Sequence, residues 1–547
     1  MTESLKLKDK LLTKFDLSQL KKISFGKLEG ERDPMLEDCF FPTSSIEKYL
    51  NEPINYVLSP KGAGKSALFR TLEKKYLHKN IFKYDKYSII SINDAFGFDD
   101  EYLNVDDFNE KNRMKLTISW GIFILSKLIN DIKINFSDKP NYNSFISEIS
   151  KIEGFNDKFN LYGLDDLLSS LSAAINFTAN GQEFEIKPNI KFNKRKKKII
   201  LNDLFKIINT FYKSNNKTAL ILIDRIDNFV QKEKYSLQKK YIQGLFDSIE
   251  EISLLENIQP TLFLRTDLFY SYDSDIEVDK IKDRTIELKW TKGETLNFIL
   301  YRFNNNLYIK TTFLPFLQHF MKNDKGIEIQ KPNKYSLLRI FKSLFTNPGN
   351  GNLLKDKQAY NYRISEKYLT MFFPKEIAIF DRDIVKFVDW IFEYLKDSNN
   401  FVNPRLLIDF FNQLIDFENL YLEQYCDIAD NHDFIEPSFC DNNLFYNNLF
   451  HQNSFASTYL NIQNDSLKNI LVLVKNKDFQ ILFKEINSIS YHKNFFRYGD
   501  INLNKFDMNK DTYDNLLKYL TLLGFCTEID KQKYYIPPLY QKKLELI

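Results

Sequence analysis

The chain has 547 residues, of which 43% are hydrophobic and 27% are charged, and these proportions exclude an intrinsically disordered protein. Its 76 basic and 73 acidic residues leave a formal net charge of +3, so any contact with nucleic acid must come from a local basic patch. Because the length exceeds one typical hydrophobic core, we expect two or three packed units.

Cysteine spacing and hydropathy exclude further classes of protein. The cysteines are widely scattered, without the paired spacing of a zinc site, at Cys39, Cys426, Cys440 and Cys526. The first residues lack the apolar core of a secretory signal, and no window approaches the roughly eighteen apolar residues of a membrane-spanning helix. We therefore expect a cytoplasmic protein without a structural zinc site, a disulfide scaffold or a membrane segment.

The first informative element is a glycine-containing loop between a predicted strand and a predicted helix. Ile54–Leu58 has the residues of a buried strand, and Ser66–Lys79 carries leucines at helical spacing. The residues between them, SPKGAGKS, match the phosphate-binding P-loop pattern except that Ser59 replaces its first glycine. A chance glycine-rich turn before a helix is the alternative, and the strand and helix on either side disfavour it.

Each part of this loop has a chemical task in holding a nucleotide. Gly62 and Gly64 permit backbone angles that let consecutive N–H groups face phosphate oxygens at a helix N-terminus. Lys65 offers an ammonium to the β- and γ-phosphates, and the Ser66 hydroxyl is a ligand for Mg²⁺. The predicted nucleotide-binding residues are Ser59, Pro60, Lys61, Gly62, Ala63, Gly64, Lys65, Ser66 and Ala67. The cofactors predicted from this loop are ATP and Mg²⁺.

The segment that follows contains an apolar helix and a basic hairpin. Met114–Lys133 is a strongly apolar helical stretch, and Phe177–Phe192 alternates around an Asn-Gly turn before the basic run Lys194–Lys198. Clustered basic residues favour contact with a nucleic-acid backbone, although a solvated basic face explains the run more simply. Glu185 and Lys187 have the spacing of a metal-dependent nuclease strand, which is also common on solvated strands.

A second buried strand is predicted to bring a carboxylate to the metal. Thr218–Ile223 is a continuous apolar run that ends in Asp224, the natural Mg²⁺ ligand beside a P-loop. Arg225 follows in place of the glutamate that usually polarises the attacking water, so the residues support binding more than hydrolysis. Asp227 either orients that water or supports Asp224, and a helix cap or a solvated carboxylate explains it equally well.

The order of these elements resembles the AAA+ and STAND-like ATPases, in which the next strand carries a polar sensor beside the γ-phosphate. Here the predicted strand Thr261–Leu264 is followed by Arg265 and Thr266, and either residue is a candidate for this sensor. The alternative is that both are simply polar residues at the end of a strand. Asn403–Asn412 places Arg405 at a helix start and is similar to the second sensor of AAA+, origin-recognition and KAP-like ATPases, whose lid arginine reaches the triphosphate. An arginine at a helix start is otherwise usually solvated or paired with a carboxylate.

Blocks between 29 and 413 extend the resemblance to KAP/STAND-like ATPases encoded in prokaryotic antiviral defence and mobile-element loci. They are ERDP, GAGKSAL, LIDRID, FLRTDLF, IELKW and NPRLLI. The resemblance implies an ATP hydrolase that acts as a switch or motor in antiviral defence, as a homo-oligomer or with an effector protein. Arg225 in place of the usual glutamate predicts that its hydrolysis is slow or partner-stimulated. Arg284 is a candidate arginine finger, for which a surface salt bridge is the favoured alternative.

The last residues resemble a winged-helix domain. Helical patterns at Lys477–Ile486 and Lys510–Leu523 precede the strand-like pair Phe525–Ile529 and Lys533–Ile536. Such domains bind DNA in some relatives and serve as packing or autoinhibitory surfaces in others. A DNA-binding initiator or loader that uses this wing and Lys194–Lys198 is therefore the second functional hypothesis, and a non-hydrolysing scaffold that holds ATP is the third.

Together these observations predict an α/β fold: a P-loop NTPase core of the AAA+/STAND-like kind on a parallel sheet, with a helical lid and a C-terminal winged-helix-like domain. The predicted boundaries are an N-terminal arm at 1–45, the core with its inserted helix and basic hairpin at 46–292, the lid at 293–415, a variable helical connector at 416–474 and the winged-helix-like domain at 475–547.

Overall fold

The computed structural model describes residues 23–93 except 78 and 80, 110–151, 194–226, 235–271, 281–306, 369, 373, 376–377, 384–429, 452–474, 477–490, 494–503 and 510–541. The chain divides into two compact units, each with its own hydrophobic core. The sheet unit consists of Ser44–Ser59 and Leu68–Leu288, and the lid unit consists of Met1–Thr43, Pro60–Ala67 and Lys289–Ile547. The boundary between the units falls in the predicted phosphate-binding loop, since Ser59 belongs to the sheet unit and Pro60–Ala67 to the lid unit.

The helices and strands of the described residues are named in chain order. The strands are β1 (Tyr56–Ser59), β2 (Tyr87–Ile92), β3 (Thr218–Ile223), β4 (Ile258–Arg265), β5 (Thr285–Glu287), β6 (Glu376–Ile377), β7 (Val385–Lys386), β8 (Phe495–Arg497), β9 (Thr527–Asp530) and β10 (Lys533–Tyr535). The helices are α1 (Leu36–Cys39), α2 (Ser44–Asn51), α3 (Lys65–Glu73), α4 (Glu110–Phe136), α5 (Tyr142–Ser150), α6 (Lys194–Ser214), α7 (Tyr235–Ile252), α8 (Thr266–Ser271), α9 (Lys292–Asn305), α10 (Phe387–Tyr394), α11 (Pro404–Ala429), α12 (Gln452–Leu473), α13 (Lys477–Ser490) and α14 (Lys510–Leu522). Among the described residues, none of the helices combines the length and the apolar character that a membrane span requires.

A parallel sheet forms the centre of the sheet unit. Within the described residues its strands have the order β2-β3-β4-β1-β5, and every neighbouring pair is parallel. The predicted strand Thr218–Ile223 is β3 and is buried along almost its whole length, as expected for a strand covered on both faces. The register sets Ser59 opposite Arg265 and Ile223 opposite Leu262, so β1, β3 and β4 end at one edge. This confirms the predicted α/β fold with a parallel sheet core.

The predicted apolar helix packs against α7 in the sheet unit. It is α4, which extends beyond Met114–Lys133 at both ends. The indole Nε1 of Trp120 donates to the Tyr241 carbonyl at 3.1 Å, and Arg113 forms a bidentate pair with Asp247 at 2.7 and 2.8 Å. Direction-specific contacts therefore add to apolar packing in holding these two helices together.

The basic run Lys194–Lys198 forms the first turns of α6, so the prediction that it belongs to a hairpin is wrong for these residues. Lysine and arginine are good helix formers, and the run leads directly into an amphipathic helix whose Leu204 and Ile208 are buried. The helical periodicity of the residues after Lys198 therefore explains why the basic run is helical. The hairpin segment Phe177–Phe192, with its Glu-x-Lys pair, lies outside the described residues.

An N-terminal segment packs into the core of the lid unit. The ring of Phe25 lies with its centroid 5.0 Å from that of Phe303 in α9 and 4.5 Å from that of Phe411 in α11. The side chain of Asn412 accepts from the Phe25 N–H at 2.9 Å and donates to the Gly26 carbonyl at 2.8 Å. In its described part, the predicted arm is therefore a component of the lid core.

A buried ion pair holds the same segment. Arg302 of α9 donates to the Phe25 carbonyl at 2.6 Å and to the Asp33 carboxylate at 2.5 Å. The side chains of Arg302 and Asp33 are only 4% and 1% exposed. Asp33 also accepts from the backbone N–H groups of Lys27 and Met35 at 3.2 and 3.1 Å. The carboxylate thus fixes a turn of the segment as well as its attachment to α9.

The predicted boundary between the lid and the connector, at 415 and 416, lies inside one continuous helix. Helix α11 runs from Pro404 to Ala429, and its buried side continues through Ile415 to Glu418. The sequence placed the break where the composition changes, but the buried face of the helix does not end there.

A small antiparallel sheet lies near the end of the lid unit. The described strands have the order β8-β10-β9, and α13 and α14 are the two predicted helices. The strand Phe495–Arg497 was not predicted, because three residues between two helices carry too short a pattern. The assignment of this region to a winged-helix-like domain stays a prediction.

We expect Asp33→Ala to lower the free energy of unfolding by about 3–5 kcal/mol, because the Arg302 guanidinium stays buried without its carboxylate. Urea denaturation followed by circular dichroism measures the change.

The matched control is Glu29→Ala, which removes a pair between Glu29 and Arg32 whose side chains are 57% and 77% exposed. That change should cost less than about 1 kcal/mol. Equal, small effects of the two substitutions would contradict a stabilising role for the buried pair.

Candidate nucleotide-binding site

The predicted strand, loop and helix are present in the order that a P-loop requires. Strand β1 ends at Ser59, the loop follows, and α3 begins at Lys65. Gly62 and Gly64 have φ angles of +89° and +103°, in the left-handed region that favours glycine. The first-turn N–H groups of α3 have no partners within the helix and lie at its positive end. The strand, the loop with its two left-handed glycines and the helix therefore have the local arrangement of a P-loop.

Two lid side chains donate hydrogen bonds to carbonyl groups of this loop. The indole Nε1 of Trp290 donates to the Ala63 carbonyl at 2.9 Å. The side-chain amide Nδ2 of Asn403 donates to the Lys61 carbonyl at 2.6 Å. Both residues belong to blocks that carried the family resemblance, IELKW and NPRLLI, but the sequence does not show that they contact the loop.

Asn403 also caps the helix that carries the predicted lid arginine. Its Oδ1 accepts from the backbone N–H of Arg405 at 2.9 Å, so Asn403 is the N-cap of α11. Arg405 is therefore at the helix start, as predicted, and its Nε donates to the Leu28 carbonyl at 3.0 Å. The predicted lid arginine, the N-terminal segment and the loop thus lie together in the lid unit.

Two glycines of the lid unit lie where a side chain would collide with a neighbour. A Cβ added to Gly62 would lie 2.3 Å from Oδ1 of Asn403, and one added to Gly30 would lie 3.1 Å from the Cα and Cβ of Ala67. Contacts this short require the neighbouring atoms to move. Gly30 therefore lets the N-terminal segment pack closely against the start of α3, and Gly62 lets the loop pack closely against the side chain of Asn403.

The carboxyl edge of the parallel sheet carries the predicted metal ligand. Asp224 follows β3 with no exposed surface, and its backbone N–H donates to the Ile92 carbonyl at 2.9 Å. Arg225 has a φ angle of +62°, which is uncommon for a residue other than glycine. The chain therefore turns sharply after Asp224, at the position where an activating glutamate was expected. Asp227 lies outside the described residues.

The end of β4 contains an ion pair and a buried hydroxyl. Arg265 binds both carboxylate oxygens of Asp267, Nε to Oδ1 at 3.0 Å and Nη2 to Oδ2 at 2.6 Å. The hydroxyl groups of Thr266 and Ser59 are buried and have no hydrogen-bond partner among the described residues. Because β1 and β4 are neighbours with Ser59 opposite Arg265, both hydroxyls lie at the same edge of the sheet.

Arg284 is part of an ion pair and not free at a strand end. Its Nη2 lies 2.5 Å from the Glu250 carboxylate, and its Nη1 donates to the Ser253 hydroxyl. Glu250 also accepts from the Tyr56 hydroxyl at 2.8 Å, and burial together with this carboxylate raises the Tyr56 pKa. These contacts support the salt bridge over the arginine finger.

No family model matches the chain, and no curated protein matches it. Among solved structures, the ORC2 protein of Aeropyrum pernix in its ADPNP-ADP complexes aligns over 92% of this chain and 94% of that chain, with 10% sequence identity and a TM-score of 0.38. At this TM-score the similarity carries no conclusion about function, so the roles proposed below rest on the residues of this chain.

We expect Gly62→Ala to lower thermal stability more than Gly64→Ala does. Both substitutions force a side chain into the left-handed region, at a cost of roughly 1–3 kcal/mol. Only the Cβ at position 62 also collides with Asn403, since the nearest atom to a Cβ at Gly64 is a Trp290 ring carbon at 3.9 Å. Thermal unfolding followed by circular dichroism ranks the variants.

Gly293→Ala is the control, because a Cβ there meets nothing within 4 Å. Asn403→Ala removes the cap of α11 and so should lower stability by itself, but it should cost less in the Gly62→Ala background, where it also makes room for the methyl group. If the variants at 62 and 64 were equally stable, the collision with Asn403 would contribute nothing.

Proposed function

We propose that this chain binds Mg²⁺-ATP at Ser59–Ala67 and hydrolyses it slowly, as a nucleotide-dependent switch. The observation that carries the proposal is the loop itself, in which two glycines with left-handed backbone precede a helix that begins with Lys65 and Ser66. Backbone N–H groups at such a turn favour a polyanion, because they lie at the positive end of the helix. A triphosphate supplies the matching negative charge.

Lys65 is proposed to bring its ammonium to the β- and γ-phosphates, while Ser66 and Asp224 hold Mg²⁺. Hydroxyl and carboxylate oxygens suit this ion, which usually takes few protein ligands and fills its other positions with phosphate oxygens and water. When bound, Mg²⁺ neutralises charge on the triphosphate.

Thr266 is the better candidate than Arg265 for sensing the γ-phosphate. The Arg265 guanidinium is held by both oxygens of Asp267, whereas the Thr266 hydroxyl is buried and has no partner in the described residues. A buried hydroxyl without a partner costs free energy that a hydrogen bond to a ligand oxygen would recover. Arg405 is proposed as the lid residue that exchanges the Leu28 carbonyl for a phosphate oxygen.

Slow hydrolysis is proposed because the residue after Asp224 is unable to act as a general base. Arg225 stays protonated in proteins, so it does not accept a proton from the attacking water. Asp227 is the nearest carboxyl in the sequence that is able to take this task. A partner protein or a second copy of the chain would supply the missing group in the stimulated state. Antiviral defence is the proposed setting, on the resemblance of the sequence blocks alone.

We expect Lys65→Ala to reduce the affinity for Mg²⁺-ATP at least a hundredfold, because the variant loses the charge that faces the β- and γ-phosphates. Isothermal titration calorimetry of the purified full chain measures the affinity. The control is Lys74→Ala, which removes an exposed lysine just beyond the end of α3.

Failure of the unchanged protein to bind Mg²⁺-ATP would end the proposal. A host challenged with phage tests the setting, since protection should disappear with Lys65→Ala. Equal protection by this variant would discard an ATP-dependent role in defence.

We expect Thr266→Val to keep Mg²⁺-ATP binding within a few-fold but to lower ATP turnover at least tenfold. The substitution keeps the shape of the side chain and removes only the hydroxyl proposed to contact the γ-phosphate. A coupled ATPase assay gives the turnover. Unchanged turnover in this variant would return the sensor role to Arg265.

A further inference from the structure

Two peptide planes of the loop are held by the lid. The Lys61 carbonyl, bound by Asn403, belongs to the peptide that joins residues 61 and 62, and the Ala63 carbonyl, bound by Trp290, belongs to the one that joins residues 63 and 64. In a planar trans peptide the C=O and N–H bonds point in opposite directions. The N–H groups of Gly62 and Gly64 therefore point away from the two lid side chains.

These peptides need an outside restraint because both contain glycine. Gly62 and Gly64 lack the Cβ that limits backbone rotation, so their peptide planes reorient more easily than others. Within the loop, the hydrogen bond from the Ala63 N–H to the Pro60 carbonyl is long, at 3.3 Å. The two lid bonds, at 2.6 and 2.9 Å, are shorter than this internal bond.

We propose that Asn403 and Trp290 are positioning residues that orient the Gly62 and Gly64 N–H groups toward a bound polyphosphate. This inference rests on the proposed function of the loop. It means that two side chains of the lid unit set the direction of the N–H groups that would bind the phosphates. Neither side chain needs to touch the phosphate, since each acts through the carbonyl on the other side of the peptide.

The orientation of the Asn403 amide is determined by its neighbours. One neighbour is a carbonyl, which only accepts, and the other is the Arg405 N–H, which only donates. The nitrogen must therefore face Lys61 and the oxygen must face α11. A single side chain thus links the peptide plane at Lys61 to the start of the helix that carries Arg405.

Trp290 provides a similar link to α9. Its ring packs edge-on against Phe298, with centroids 5.3 Å apart, while its N–H holds the Ala63 carbonyl. A shift of α9 would therefore release the peptide plane at Ala63, and a shift of α11 would release the one at Lys61. By linkage, a polyphosphate that binds the aligned N–H groups stabilises the same lid contacts.

The test compares variants that remove the donor while keeping the rest of each side chain. Asn403→Asp keeps the oxygen that caps α11 but places a second oxygen against the Lys61 carbonyl. Trp290→Phe keeps a ring for Phe298 and removes the N–H. Each should weaken binding of Mg²⁺-ATP and of tripolyphosphate by the same factor, about tenfold, since the loss concerns phosphate contacts alone.

A control variant and a spectroscopic measurement separate positioning from a merely structural role. Asn412→Asp changes an asparagine of the same helix that binds the N-terminal segment and should leave tripolyphosphate affinity unchanged. In protein labelled with ¹⁵N-glycine, tripolyphosphate should shift the Gly62 and Gly64 amide signals of the unchanged protein, and Asn403→Asp should reduce the Gly62 shift.

The inference and the proposed function fail by different results. If the unchanged protein binds neither Mg²⁺-ATP nor tripolyphosphate, the proposed function is wrong and the inference falls with it. If it binds both, and Asn403→Asp and Trp290→Phe bind them equally well, the inference alone is overturned. A loss for ATP without a loss for tripolyphosphate also overturns it, because the side chains would then act on the nucleoside.

Discussion

The lid unit depends on a hydrogen-bonding constraint that acts on the backbone of one loop. Asn403 binds the Lys61 carbonyl with its nitrogen and caps α11 with its oxygen, and Trp290 binds the Ala63 carbonyl. A glycine-containing loop has many accessible conformations, and these side chains select among them. The conformation of the loop therefore depends on residues just before α9 and α11, which hold its peptides from outside.

A different constraint acts on the sheet unit, where the direction of the strands concentrates polar groups at one edge. Parallel strands all end on the same side, so the buried runs of β1, β3 and β4 bring Ser59, Asp224 and Thr266 to one edge. The Arg265 guanidinium at this edge is already neutralised by Asp267, which accepts two hydrogen bonds from it. At this edge, the buried hydroxyls of Ser59 and Thr266 have no hydrogen-bond partner among the described residues.

The N-terminal segment shows how polar contacts define the path of a chain that apolar packing alone leaves ambiguous. Phe25 fills a space between aromatic rings of α9 and α11, a contact that has little directional preference. The Arg302 guanidinium and the Asn412 amide add bonds with fixed directions to the backbone around Phe25 and Gly26. The segment therefore reaches Leu28 in a position where its carbonyl meets Arg405.

The residues of the chain by themselves determined the strand, loop and helix around Lys65, the apolar run of β3 and the helix start at Arg405. Each of these depends on neighbours within a few positions, such as glycine backbone freedom, hydrophobic periodicity or a cap, and such signals are legible in a sequence. The helical backbone of Lys194–Lys198 was not predicted, although it follows from the helical periodicity of the residues after it. The strand Phe495–Arg497 was not predicted because its three residues carry too short a pattern, and it forms by pairing with β10. Only the tertiary structure brought Asn403 to Lys61 and Trp290 to Ala63, pairs that are 342 and 227 positions apart, because no local pattern encodes which carbonyl a distant side chain will meet.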